Sequence, residues 1–132
     1  PLGLTWETFS LIAALRRSGK PYELNPTELQ RQSLLTSGAM TNRIDRVEAL
    51  GLVERRPDPA DRRGVIVRLK PAGQALADKA IAIHFKATAE VLNALDTRES
   101  AQLDQLLSKL LASFEAAPAQ APAPKRKKRR TS

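Results

Sequence analysis

The apolar positions of this chain change period twice, and each change marks a boundary between elements. Between Leu4 and Ser18, Phe9, Ile12 and Leu15 recur at a spacing of three, and Thr5 is placed to cap the start, which predicts a helix over 4–18. Gly19 and Pro21 end it, since glycine accepts the left-handed conformation that closes a helix and proline cannot continue one. Asn25-Pro26 opens a short second helix over PTELQRQS, with Asn as the cap and Pro at the first helical position. Thr36 caps a third helix, whose inner side carries Met40, Ile44 and Val47 and which Gly51 closes.

Beyond Gly51 the period falls to that of strands. LVERR (52–56) and VIVRL (65–69) suit strands, the second being rich in β-branched residues. Between them PDPADRRG (57–64) is turn chemistry, so an antiparallel hairpin with a long, charged tip is expected. Helical composition returns over 71–95, beginning at Pro71 and carrying Leu76, Ile83, Phe85, Val91, Leu92 and Leu95. Asp96 and Glu99 form a capping-box pattern ahead of the stripe Leu103, Leu106, Leu107, Leu110, Leu111 and Phe114. That stripe is expected to be core or a dimer seam. The order helix, short helix, helix, hairpin predicts a mainly α fold with a small β-hairpin wing: a winged helix-turn-helix followed by a C-terminal helical dimerisation region.

Composition narrows the chemistry. The chain has 132 residues, enough for one domain with a real core. It lacks cysteine and has one histidine, His84, which excludes a disulfide framework and argues against a zinc site. His84 is expected on the surface or in a dimer interface rather than against a ligand. No apolar run approaches the roughly 18 residues of a membrane span, and no signal peptide opens the chain. The chain starts at Pro1, almost on a helix signal, which suits a fragment or a processed product. No nucleophile–base–orienter set, glycine-rich phosphate loop or metal-ligand spacing is present, so neither an enzyme nor a cofactor is expected.

The net charge of +8 suggests a polyanionic partner, but its distribution says more. Lys125, Arg126, Lys127, Lys128, Arg129 and Arg130 supply six of those charges, leaving +2 for everything before them. Residues 37–70 hold eight basic and five acidic residues, whereas 71–115 hold four and six. The middle of the chain is therefore its electropositive body. Residues 116–124 (AAPAQAPAP) read as a Pro/Ala linker that cannot bury apolar surface. The expected organisation is one domain over 1–115, with its DNA-binding core at 24–70, and a disordered linker and basic tail over 116–132. The basic tail has three readings, a disordered solubilising end, a nonspecific DNA arm or a targeting-like basic cluster. The arm is favoured, and deleting residues 118–132 should then flatten the plot of log affinity against log salt.

A helix that enters the major groove needs one slim polar face and one apolar face. In TSGAMTNRIDRVEALG, Ser37, Gly38, Thr41, Asn42, Asp45 and Arg46 lie opposite Met40, Ile44 and Val47, with Arg43 nearer the flank. Small residues come first, so the helix N-terminus can approach a phosphate closely. Asn42 has the chemistry to read adenine, and Arg43 or Arg46 to read guanine or hold a phosphate. Asp61, Arg62 and Arg63 are expected at the wing tip, with the arginines suited to a narrow minor groove and Asp61 orienting one of them by a charge-assisted hydrogen bond.

These residues carry a resemblance. The stretch TSGAMTNRIDRVEALGLVERRPDPADRRGVIVRLKPAGQAL resembles the MarR family, whose pattern is "DRLE-x-x-GLV-x-R", a wing "D-x-R", then "L-T-x-x-G" and a long helix. Here these read Asp45-Arg46-Val47-Glu48, Gly51-Leu52-Val53, Asp61-Arg62-Arg63 and Leu69-Lys70-Pro71-Ala72-Gly73. The resemblance covers about residues 4–115 and implies a bacterial, cytoplasmic, nucleoid-associated homodimer. It would bind a pseudo-palindromic operator in double-stranded DNA, most often as a repressor, with a ligand lowering its affinity. LRRSGKPYELNPTEL, TSGAMTNR and DPADRRGV are similar to the urate-responsive branch. That branch ties its ligand to an acid, two arginines and a tryptophan in an N-terminal helix. Arg43 and Arg55 occupy the arginine positions, Ser10 replaces the acid, and Trp6 lies in a different helix. Ser10, Arg43 and Arg55 are thus the candidate effector residues, for a small aromatic or anionic ligand such as urate. Two other classes fit less of the chain: a sequence-tolerant architectural DNA binder led by the basic tail, and a winged helix used for protein interaction.

Overall fold

The computed structural model describes residues 2–116, so the linker and basic tail expected over 116–132 lie outside the described residues but for Ala116. Three helices come first: α1 (Trp6–Arg17), α2 (Pro26–Ser33) and α3 (Ser37–Ala49), with β1 (Glu23–Leu24) between the first two. The strands β2 (Val53–Asp58) and β3 (Asp61–Leu69) follow, then α4 (Pro71–Leu92) and α5 (Thr97–Ala116). The fold is mainly α with a small antiparallel wing, as the hydrophobic pattern predicts. The chain divides into two compact units, Pro1–Ala89 and Glu90–Ser132.

The helix boundaries have local causes. The Thr5 side chain accepts from the amide of Thr8, and the Thr36 side chain accepts from that of Ala39. Asn25 and Glu28 form a complete capping box: Asn25 Oδ1 accepts from the Glu28 amide at 2.8 Å and Glu28 Oε2 from the Asn25 amide at 2.9 Å. At the end of α3, the Gly51 amide donates to Glu48 O (2.8 Å) and the Leu52 amide to Val47 O (3.3 Å). With Gly51 at φ +73°, this is a Schellman ending, and it aims the chain straight into β2. The final helix closes likewise at its start, with the Asp96–Glu99 pair bonded reciprocally.

Helix α1 turns a different face to the core from the one the spacing of three suggests. Leu11, Ile12 and Leu15 are buried, while Phe9, expected on the same stripe as Ile12 and Leu15, is only half-buried. A step of three falls short of a full turn by about 60°, so Phe9 rotates off the centre of the face set by Leu11 and Leu15. The rest of the core is Leu29 from α2, Met40, Ile44 and Val47 from α3, Val53, Val67 and Leu69 from the sheet, and Ala77 from α4. Arg16 ties α1 to α4 through Asp78 (2.6 Å) and lies 4.8 Å over the Tyr22 ring. Its hydrogen bond with Asp78 raises its pKa, so the pair stays charged at the guanidinium end at any working pH.

The sheet has the order β1-β3-β2, and β1 has no counterpart in the sequence reading. Two residues carry too little period to be recognised, and β1 exists because β3 offers Arg68 and Val67 as antiparallel partners to Glu23 and Leu24. Strand β3 is also longer than expected. Instead of an eight-residue loop, the hairpin closes at Pro59-Ala60, with Asp58 opposite Asp61. Asp58 Oδ1 accepts from the Ala60 amide at 2.8 Å, so a side chain supplies the turn's hydrogen bond. Pro57 is tolerated because β2 is an edge strand. The helix expected over 71–95 ends at Leu92, and residues 93–95 form a turn.

Helix α5 buries none of its residues: Leu106, Leu107, Leu110, Leu111 and Phe114 are 55–73% exposed. Among the described residues, no helix is long and apolar enough to cross a membrane.

Candidate nucleic-acid interface and adjoining cleft

Helix α3 presents the two faces its sequence implies. Met40, Ile44 and Val47 are each about 1% exposed, while Ser37, Gly38, Thr41, Asn42, Asp45 and Arg46 are open to solvent. Burial of the first set fixes the helix axis and roll, so the second set points outward as one strip. The Thr41 hydroxyl donates to Ser37 O (3.0 Å), which holds it against its own helix. No acidic residue lies in the first turn of α3, so nothing offsets the positive end of its dipole.

The wing arginines are held differently from expectation. Pro57 opposes Val65 whereas Asp58 opposes Asp61, so Arg62, Arg63 and Gly64 have no partner on β2 and form a bulge. Asp61 does orient Arg63, but through the backbone: its Oδ1 accepts from the Arg63 amide at 3.0 Å, and no bond to either guanidinium is present. Among the described residues neither guanidinium has a hydrogen-bond or ion-pair partner, and both residues are exposed. Gly64 lets the bulge fold tightly, since a Cβ there would lie 3.1 Å from the Cβ atoms of Asp58 and Asp61.

Arg55 stands apart from the other candidate effector residues. It pairs with Asp45 (2.5 Å) and Glu48, and Glu48 also accepts from the Arg55 amide at 2.9 Å. Burial alone would lower its pKa, but the bonds to Asp45 and Glu48 outweigh that and raise it. Arg55 thus buttresses α3 against β2. Asp45, exposed on the outward strip, is committed to the same network.

Ser10 and Arg43 do come together. Arg43 Nη1 donates to Ser10 Oγ at 3.1 Å, linking α1 to the flank of α3. Both line a cleft of about 560 Å³ with Trp6, Phe9, Arg17 and His84 among its walls, and Arg55 is not part of it. On α1, Trp6, Phe9, Ser10 and Arg17 follow helical spacing on a face adjoining the core face. That periodicity was open to sequence reading. What was not open is that α4 sets His84 against it, 5.3 Å from the Phe9 ring and 5.9 Å from that of Trp6. His84 is exposed, as expected, yet it lines the cleft. Among the described residues no Asp or Glu lines the cleft, and the charged groups that do are cationic.

Comparison with known proteins fits this geometry. The family model described as "MarR family" matches residues 2–64. Salmonella typhimurium MarR, a multiple antibiotic resistance protein, is 33% identical over 115 residues, covering 84% of this chain and 76% of its own length. The transcriptional regulator PecS of Dickeya dadantii is 30% identical over 107 residues, and this chain spans 64% of its length. Among solved structures, a mutant E. coli MarR complexed with operator DNA superposes with a TM-score of 0.74 at 32% identity, over 84% of this chain and 78% of that one. Bordetella bronchiseptica BpsR, described for the regulation of its DNA binding by 6-hydroxynicotinic acid, gives 0.70 at 28% identity, over 81% and 79%. With a relative this similar over three quarters of its length and a helix-turn-helix and wing of the same architecture, the chain belongs to the MarR family.

Proposed function

We propose that this chain is the DNA-reading and effector-sensing part of a homodimeric transcriptional repressor, working in the bacterial cytoplasm on the nucleoid. The observation that carries this is the exposed polar strip of α3 beside two exposed wing arginines that form no ion pair among the described residues. Ser37, Gly38, Thr41, Asn42, Arg43 and Arg46 enter a major groove, and Arg62 and Arg63, on the bulge set by Asp61, reach the adjacent minor groove. The apolar stripe of α5 supplies a dimer seam, because five large apolar side chains left in water are costly unless a second copy covers them. Two such reading heads about 34 Å apart match a pseudo-palindromic operator. This assigns residues 1–115 to one working domain, with the reading core at 24–70.

The effector is an aromatic anion. Trp6, Phe9, His84 and Phe85 offer ring surfaces to a planar ligand, and Arg17 and Arg43 offer charge to a carboxylate or oxyanion. BpsR, with its hydroxynicotinic acid, supports this class, whereas the position of Arg55 weighs against the full urate-type set. An anion that takes Arg43 from Ser10 acts directly on the recognition helix. Such a ligand lowers DNA affinity only if it binds the free form more tightly than the DNA-bound form.

The test uses a duplex selected by the protein from a random pool. The protein should prefer that duplex to random DNA by at least about 10³-fold at physiological salt. Adding 6-hydroxynicotinate or urate should then reduce binding, and Arg43→Gln should blunt that response. Equal affinity for selected and random DNA would favour an architectural binder led by the basic tail.

A further inference from the structure

Leu34 lies in the turn between α2 and α3, two residues before the cap of α3, and two features set it apart. It caps α2 in the left-handed conformation (φ +54°, ψ +32°), and its side chain is 92% exposed. Each is unfavourable by itself. A left-handed leucine brings Cβ against its own carbonyl, where glycine or asparagine would be unstrained. A leucine that exposed gives nothing back by burial. Leu35, the next residue, is half-buried and packs against the core, so the turn already has its hydrophobic anchor. Among the described residues, nothing packs on the Leu34 side chain closely enough to require a large apolar group there.

Its position offers a use. Thr36, two residues on, caps α3, and Ser37 and Gly38 begin the outward strip. Thr27, Gln30 and Arg31 lie on the same face of α2 as Leu34 and wall a shallow groove with it. Thr27 and Arg31 are exposed, and Arg31 forms no ion pair among the described residues. The turn therefore sits at the end of α3 that enters the groove first, with a cation one helical turn away.

We infer that Leu34 is a DNA-contacting residue, packing its side chain on an apolar group at the lip of the major groove, a thymine methyl or a deoxyribose edge. The contact is apolar and adds no counterion release, so it changes affinity without changing salt dependence. This rests on the DNA-reading function proposed above. The strain and exposure at Leu34 in the free protein are offset only in the complex, which is where the side chain loses water.

Three variants separate the contact from the strain. Leu34→Gly relieves the backbone and removes the side chain. It should raise the melting midpoint by several degrees yet weaken binding to the selected duplex by about fivefold to tenfold. Leu34→Ala keeps the strain and should weaken binding similarly with little change in stability. Leu34→Met keeps an apolar chain of similar length and should bind as wild type does. The slope of log affinity against log salt should be the same for all. Replacing thymines at the site edges by deoxyuridine should abolish the difference between wild type and Leu34→Ala if a methyl group is the partner. A difference that persists assigns the deoxyribose edge. Wild-type affinity in both the Gly and Ala variants, on a duplex the wild-type protein prefers over random DNA, overturns the inference alone. Absence of any such preference in the wild-type protein overturns the DNA-reading function with it.

Discussion

Replacing Gly73 by alanine should destabilise the fold by about 3 kcal/mol or more, although alanine is the better helix former. Gly73 lies in the first turn of α4, where a Cβ would stand 2.1 Å from the carbonyl oxygen of Leu52, 3.0 Å from its carbon and 2.8 Å from Leu69 Cδ1. That carbonyl cannot step aside freely, because it accepts from the Lys70 amide at 2.9 Å and so joins the end of β3 to the start of β2. A methyl group must push α4 away from the hairpin or break this bond, and both open the core around Leu52, Leu69 and Ala77. The expected readout is a fall in the thermal midpoint on the order of 10 °C, followed by circular dichroism. Gly38→Ala is the control. A Cβ there meets nothing within 4 Å, so the same substitution should stabilise by about 1 kcal/mol. Equal effects at the two sites would mean that the approach of Leu52 to Gly73 is not a fixed feature of the fold.

Arg62→Ala and Arg63→Ala should each weaken binding to the selected duplex by about 1–3 kcal/mol and leave stability unchanged. Both side chains are exposed, neither takes part in an ion pair among the described residues, and the bulge is held by Asp61 and Gly64 rather than by the arginines. Truncation therefore removes the proposed DNA contact without removing a contact of the folded chain among the described residues. Melting curves should overlay that of the wild-type protein while gel-shift titrations separate. Wild-type affinity in both variants would detach the wing from DNA recognition. Asp61→Ala adds a finer distinction: it removes the acceptor of the Arg63 amide, so it should lower affinity although it removes a negative charge from the proposed DNA-facing surface. A simple electrostatic role for the tip predicts the opposite sign.

The two glycines of the family pattern illustrate how the sequence is to be understood. Gly51 was legible from its place after an apolar-periodic segment, because a helix end with a left-handed residue is a local event. Gly73 was legible only as part of a pattern. Its reason is a carbonyl 21 positions earlier in the chain, and no local rule reaches that far. The wing shows the same division. Alternation marked two strands, but whether 57–64 formed a loop or continued the ladder depended on Asp58 and Asp61 meeting across the hairpin. Side-chain bonds from both to nearby amides replace missing ladder bonds, and composition alone cannot tell such a ladder from a loop.

What the sequence determined by itself was the order of helices and strands, the inner and outer faces of α3, and the arginines of the wing. These follow from period, caps and turn residues, each of which acts within a few positions. Tertiary structure decided the rest: β1, the true core face of α1, the bulge that presents Arg62 and Arg63, and the separation of Arg55 from Ser10 and Arg43. It alone set His84 beside Trp6 and Phe9 to complete a cationic, aromatic cleft. Each of these joins residues from distant segments, and the energy that selects them is shared burial and pairing across space, which no single stretch of chain contains.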